Sequence, residues 1–281
     1  MRKNRKNWQK LLWAGGIYAL LLFIAVVMIF PFVWMVTTSF KTMEEAFRYP
    51  PMLFPEHWHF ENYQLLRKTL PIERFFFNSV KITTLNVVGV LLSCSMGAFA
   101  LARLRFPGRT LLFAAALITL MVPWQTTLIP VFIIFQKLGW KDSHYPLWVP
   151  AFFGGGFAVF FLRQFFLAIP RDLYEAALVD GLTPGGVLFR IYLPLAKPAL
   201  TTLGVFTFIT SWNDLLSPLI YIDTIEKMPL TAGLSFLQTQ YSSNWPMMMA
   251  GAVVSIIPIL LVFYASQKVF VEGIATSGLK G

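Results

Sequence analysis

Residues 175–194 read EAALVDGLTPGGVLFRIYLP, a polar-faced stretch between two long apolar runs at 145–168 and 199–222. Its local chemistry predicts two short helices divided by a turn. Asp172 and Glu175 are expected in the first turn of a helix starting near Pro170, where a carboxylate favours the positive helix end. Leu173, Ala176 and Ala177 fall at i, i+3 and i+4, which predicts one narrow, small-residue face. Gly181 supplies the stop expected just past a helix C-terminus, Thr183 the next cap, and Pro184 the first position of the following helix. The second helix is expected to run to about Tyr192, with Pro194 and Pro198 marking the return to apolar sequence. Such an angled pair resembles a knob made to fit a groove. The alternative is an amphipathic hairpin resting on lipid headgroups. Against it, helices that lie on membranes present Trp, Phe or Leu, whereas Ala176 and Ala177 bury little area.

The flanking runs belong to a set of six, roughly 11–36, 82–102, 110–136, 145–168, 199–222 and 246–267. Crossing ~30 Å of hydrocarbon as a helix takes ~20 residues, and each run qualifies. The chain is 57% hydrophobic and 13% charged, against about 25% charged for soluble domains. The fold class is therefore all-α, a polytopic membrane protein with six transmembrane helices. An even number places both termini on one side. With the N-terminus in the cytoplasm, fourteen of the 23 basic residues and four of the 13 acidic ones fall on that face. The whole net charge of +10 then lies inside, as the positive-inside rule requires. The basic character reflects topology and implies no nucleic-acid partner. The opening MRKNRKNWQKLLWAGG leads into an apolar run reaching about Val36 with no small-residue cleavage site, which predicts an uncleaved first span.

Other features narrow the chemistry. Cys94 is the single cysteine, which excludes an internal disulfide framework. The long outer loop 37–76 is predicted to hold a short helix over 61–69. Its His57 and His59 lack the further ligands of a structural metal site, so no metal is expected. Trp212, Asn213 and Asp214 form the clearest polar cluster inside a span and are candidates for a translocation path. An intramembrane carboxylate is a functional candidate by default, and it accepts hydrogen bonds from solute hydroxyls. Inter-helix hydrogen bonding or an interfacial position is the structural alternative. The chain has no G-x-x-x-x-G-K-[ST], hence no phosphate-cradling loop, and it is not read as an enzyme.

The spacing E-A-A-x-x-x-G-x(9)-I-x-L-P is matched without a gap by Glu175, Ala176, Ala177, Gly181, Ile191, Leu193 and Pro194. This resembles the signature loop of the membrane subunits of binding-protein-dependent ABC importers. The six-run layout, WNDLLSPL at 212–219 and the ending GIATSGLKG are similar to the carbohydrate-uptake, MalG-type group. The resemblance implies the type I importer permease fold in the cytoplasmic (inner) membrane, with N- and C-termini cytoplasmic. It implies a basic N-terminus over 1–10, a membrane domain over 11–270 that includes a cytoplasmic coupling loop at 169–198, and a cytoplasmic tail over 271–281. The implied partners are a second permease subunit in a heterodimer, an ATP-binding subunit dimer that uses ATP and Mg, an extracytoplasmic solute-binding protein, and membrane lipid. No cofactor is expected on this chain. By the same resemblance, Glu175 pairs with a basic residue of the ATPase, Ala176, Ala177 and Gly181 permit close approach, and Ile191, Leu193 and Pro194 complete the motif. Gly278 and Lys280 of the tail are expected to reach the ATPase dimer. A disaccharide, an oligosaccharide and a sugar-like polyol phosphate all stay open as cargo. The competing reading is a self-sufficient secondary transporter or channel. It needs a coupling-ion residue in mid-membrane, for which Asp214 is the sole candidate, and such folds often carry inverted repeats, which this sequence lacks.

Overall fold

The computed structural model describes residues 2–240 and 244–278, with side chains placed over 13–238 and 244–268. Every regular element among the described residues is helical. The chain forms two compact units, Met1–Leu70 with Phe236–Val254, and Pro71–Ser235 with Ser255–Gly281.

In the first unit, α1 (Arg2–Thr38) runs unbroken through the expected boundary at residue 10. Among the described residues, its apolar stretch from Trp13 to Phe32 is exposed. A capping box, in which Thr42 and Glu45 satisfy each other's backbone N–H groups, starts the short α2 (Met43–Phe47). The predicted helix over 61–69 is present as α3 (Glu61–Thr69). Phe40 anchors the loop before it, with the Trp58 and Phe60 rings 5.1 Å away and Tyr63 at 5.3 Å. Lys41 is buried, donating to the Met52 carbonyl at 2.5 Å with its ammonium 4.5 Å from the Trp34 ring centre. Asn62 spans the Ser39 and Lys41 carbonyls at 2.9 Å each, so the turn after α1 is held by side chains.

The second unit is organised around α4 (Ile72–Arg103), with Glu73 in its first turn and Arg103 in its last, the favourable order for the helix dipole. The third apolar run, expected as one span over 110–136, is instead broken. α5 (Arg109–Met121) and α6 (Trp124–Lys137) meet at 104°. The cause is Pro123, which disfavours the helical region for the preceding residue, and Val122 is extended at φ −88°, ψ 114°. After α7 (Tyr145–Trp148) and a 3-10 turn over Val149–Phe153 comes α8 (Gly156–Ala168). α8 starts hard against α5: a Cβ on Gly156 would lie 2.4 Å from the Ala116 carbonyl, so only glycine fits.

α9 (Arg171–Val179), α10 (Pro184–Val187), a π-turn over Leu188–Tyr192 and α11 (Leu193–Leu195) lead to α12 (Lys197–Trp212). The fifth run, expected over 199–222, ends early at Trp212. Asp214 accepts from the Ser217 backbone N–H at 3.2 Å, a local bond that competes with helix continuation. α13 (Leu216–Tyr221), α14 (Leu230–Gln240) and α15 (Trp245–Gly278) follow, the last passing through the expected tail boundary at 270. Among the described residues four stretches are long and apolar enough to cross a membrane alone: Trp13–Thr38, Ile72–Arg103, Tyr145–Ala168 and Trp245–Lys268. The two bent pairs, 109–137 and 184–212, raise that to six if each is one span.

Away from those stretches, the loop after α6 is latched to the segment after α13. Asp142 accepts from the Thr224 backbone at 2.8 Å, its hydroxyl at 2.7 Å and the Lys227 ammonium at 2.6 Å. The Lys227 ammonium, followed by the Thr224 donors, holds the Asp142 carboxyl well below the usual carboxylate range.

Candidate functional site

The 169–198 loop is built as a rigid outward tip on a fixed base. α9 closes with both bonds of a Schellman motif: the Gly181 N–H donates to Leu178 O at 3.1 Å and the Leu182 N–H to Ala177 O at 3.0 Å. Gly181 sits at φ +84°, a left-handed conformation that costs other residues about 1–2 kcal/mol. Thr183 caps α10 by accepting from the Gly186 N–H at 3.2 Å, with Pro184 at the first helical position, as its sequence predicts. The second helix continues past Tyr192 to Leu195 through the π-turn, where Leu193 N–H reaches back to Leu188 O. That turn holds one residue more than an α-turn, and π-turns recur at functional sites. Here both ends of the turn, Leu188 and Tyr192, are buried together with Val187 just before it.

The small-residue face expected from Leu173, Ala176 and Ala177 is divided. Leu173 and Ala176 point outward, but Ala177 is 4% exposed and packs inward beside Tyr174. Tyr174 and Ala177, at i and i+3, form the buried edge of α9, which cuts through the three-residue set. Ala177 therefore supports the loop from behind and has no surface to offer a partner. Glu175 is exposed and pairs with Arg171 at 2.8 Å, one turn earlier. An exposed pair of this kind contributes about 0–1 kcal/mol, so Glu175 can change partner at little cost. Ala176, Gly181 and Pro194 are exposed, while Ile191 and Leu193 are half-buried against the core. The most exposed apolar residue of the tip is Val179, at 88%. Gly278 closes α15, and Lys280 lies outside the described residues.

The base is aromatic. Phe99 of α4 meets Tyr192, Tyr174 and Phe166 edge-on at 5.0, 6.0 and 6.4 Å, and Phe166 meets Tyr192 at 5.6 Å. Each such pair adds roughly 0.5–1.5 kcal/mol beyond its buried area. Arg103, one of the fourteen basic residues assigned to the cytoplasmic face, ties this cluster together. It donates to the Phe166 carbonyl at 2.6 Å and also to the Ile169 carbonyl, satisfying the end of α8, and lies 5.3 Å from the Tyr192 ring centre. Nothing in its sequence position signals this role.

The WND cluster is also divided. Trp212 is 1% exposed, donates to Ser255 O at 3.0 Å and stacks on Phe208 at 5.5 Å, so it is a packing residue. Asn213 donates to the Ile209 carbonyl of its own helix at 3.0 Å. Of the three, Asp214 alone lines a cavity of about 690 Å³ bordered by α4, α5, α7, α8, α12, α13 and the 3-10 turn. Thr83, Asn86, Thr207, Thr210 and Ser211 also line it. Asn86 donates to Leu147 O at 2.8 Å and Ser211 Oγ at 2.9 Å. A signal for these was present: Thr207, Thr210 and Ser211 fall at i, i+3 and i+4, one polar stripe near the end of α12, and Asp214 follows just past that end.

Comparison with known proteins gives the fold and site a context. Residues 89–276 match the family described as the binding-protein-dependent transport system inner membrane component. The chain is 32% identical over 280 residues to the probable ABC transporter permease protein YurM of Bacillus subtilis, covering 99% of this chain and 92% of that one. It is 36% identical over 256 residues to the arabinooligosaccharides transport system permease protein AraQ of the same organism, covering 90% and 91%. The diacetylchitobiose uptake system permease protein NgcG of Streptomyces coelicolor is 34% identical over 89% of this chain and 84% of its own. Among solved structures, a bacterial ABC transporter involved in the import of the acidic polysaccharide alginate superposes with a TM-score of 0.78 at 26% identity, over 90% of this chain and 95% of that one.

Proposed function

The chain belongs to the binding-protein-dependent transport system inner membrane component family, and from that premise we propose that it is one permease subunit of an ATP-driven carbohydrate importer. It works in the cytoplasmic membrane with a second permease, an ATPase pair and a solute-binding protein. The family is one of transport components. In our reading this chain hydrolyses no nucleotide, and ATP and Mg are used by the partner ATPase. The 169–198 loop docks in that ATPase, with Glu175, Ala176 and Gly181 at the contact and Ala177, Ile191 and Leu193 behind it. What supports the coupling role is the loop's construction, an exposed tip fastened to α4 and α8 by Arg103 and four aromatic rings.

A fixed tip transmits motion if the ATPase's open and closed states hold it in different positions. The shift it drives is limited by the difference in contact free energy between those states. Closure of the ATPase pair would move α9 and α10, and through the aromatic base would tilt α4 and α8, opening the 690 Å³ cavity to alternate sides.

The cavity's chemistry points to the cargo class. Its described lining offers hydroxyls, one amide and the Asp214 carboxylate, with no Lys, Arg or His. Hydroxyl-rich, uncharged saccharides suit it. A phosphate or uronate ~8 Å from Asp214 would be opposed by ~2 kcal/mol at an effective dielectric of ~20, roughly 30-fold. The test is uptake by the assembled importer in proteoliposomes. A neutral oligosaccharide should enter only with ATP on the loop side, and vesicles holding this chain alone should take up none. Asp214→Asn, which keeps an acceptor for the Ser217 N–H, should retain neutral uptake and admit an anionic saccharide some tenfold or more better. ATP-independent uptake by the chain alone would establish the secondary-transporter reading instead. Unchanged anion discrimination would remove Asp214 from the path.

A further inference from the structure

The turn between α4 and α5 borders a second cavity, about 310 Å³, lined by Arg105, Phe106, Arg109, Thr110, Phe113 and Arg163. Three guanidinium groups face it and no carboxylate does. Arg109 donates to Leu104 O at 3.1 Å, and Arg163 donates through Nε to Leu101 O at 3.2 Å while lying 4.0 Å from the Phe113 ring centre. None of the three forms an ion pair among the described residues. Gathering like charges without a counter-ion is unfavourable, so a site that does so is arranged for an anion. The backbone adds to it: α5 begins at Gly108 with no side-chain cap, which leaves first-turn N–H groups and the positive helix end beside the arginines.

The surroundings of the cavity select the kind of anion. The first turns of α5 also carry Leu111 at 74% and Leu112 at 57% exposure, and the helix ends on Met121 at 82%. A soluble phosphate would leave that face uncovered. A phospholipid satisfies both parts, with its phosphate among the arginines and its acyl chains along α5. We infer that Arg105, Arg109 and Arg163 form a binding site for the headgroup of an anionic phospholipid of the inner leaflet. The site would hold the bent α5–α6 segment at a fixed height in the bilayer.

The inference rests on the membrane orientation proposed above, but its readout is bound lipid and does not depend on transport. A failure of coupling with lipid preference intact, or the reverse, therefore identifies which reading fails. The assembled importer is purified in detergent and titrated at low salt with phosphatidylglycerol, phosphatidylcholine or inorganic phosphate, and lipid adducts are counted by native mass spectrometry. Phosphatidylglycerol should be retained on the order of a hundredfold over phosphatidylcholine, and Arg105→Gln and Arg109→Gln should each reduce that preference roughly fivefold. Arg105 makes no bond to the rest of the fold among the described residues, so its variant keeps the structure, and Arg105→Lys should keep most of the preference. Equal retention of the two lipids would overturn the assignment, as would an undiminished preference in the double Gln variant. Displacement of phosphatidylglycerol by equimolar inorganic phosphate would make this a soluble-anion site and overturn the lipid assignment.

Discussion

Gly181→Asp is expected to lower ATP-driven uptake by roughly tenfold or more while the protein still inserts and the ATPase still turns over. The argument starts from the backbone. Gly181 holds φ +84° and closes α9 through both Schellman bonds, so a side chain there either bears ~1–2 kcal/mol of strain or opens the turn. Beyond its chain neighbours, no atom of the described residues lies within 4 Å of where its Cβ would sit, so the fold is not disrupted by collision. The damage is confined to the shape of the exposed tip, together with a new negative charge beside Asp180. Because each ~1.4 kcal/mol of docking free energy is a factor of ten, strain and charge together are enough to separate hydrolysis from transport. Glu175→Lys should act in the same direction by reversing the charge that leaves Arg171 for a partner. Full uptake by the double variant would remove the loop from the coupling path.

Arg103→Ala is expected to weaken the base of the loop and, with it, both stability and transport. The guanidinium satisfies the Phe166 and Ile169 carbonyls and lies against Tyr192, and hydrogen bonds from a charged donor contribute ~1.5–3 kcal/mol each. Losing them should lower the apparent Tm by roughly 5–10 °C and leave two carbonyls at the end of α8 without partners. Arg103→Lys should recover only part of this, because one ammonium cannot reproduce the planar fork. Uptake should fall with basal ATPase activity retained, since the tip itself is intact and only its connection to α4 is loosened. A variant with wild-type Tm and wild-type uptake would show that the aromatic cluster alone carries the connection.

These two residues differ in how far their sequence exposed them. Gly181 was legible because a glycine between a helical stretch and a Thr-Pro start has few other uses. Thr183 and Pro184 were legible for the same local reason, and the structure places all three as their chemistry predicts. Arg103 was not, because its partners lie 63 and 66 residues away and only tertiary packing brings them together. Hydropathy found the spans but not their breaks. Pro123 bends a run that composition reads as continuous, and the Asp214 side-chain bond ends another at Trp212. Periodicity misled at Ala177, since the inward face of α9 runs through Tyr174 and Ala177 and its edge cuts the three-residue set. At Trp212 the adjacency of three polar-edged residues suggested one site, whereas α12 ends there with Trp212 buried in the packing, and past that end only Asp214 reaches the cavity. The Thr207–Ser211 stripe carried the better signal.

The coupling claim is open to one direct measurement. Val179 stands at the exposed tip, and Cys94, the single native cysteine, is buried, so Val179→Cys places one reactive thiol on the loop. In inside-out vesicles holding the assembled importer, a short thiol-to-amine cross-linker should join that position to the ATPase subunit, with a yield that changes between nucleotide-free and ATP-bound states. If the thiol instead reacts only with reagent applied from the outer face of intact cells, and no ATPase is captured, the loop is not the cytoplasmic connection and the account is wrong.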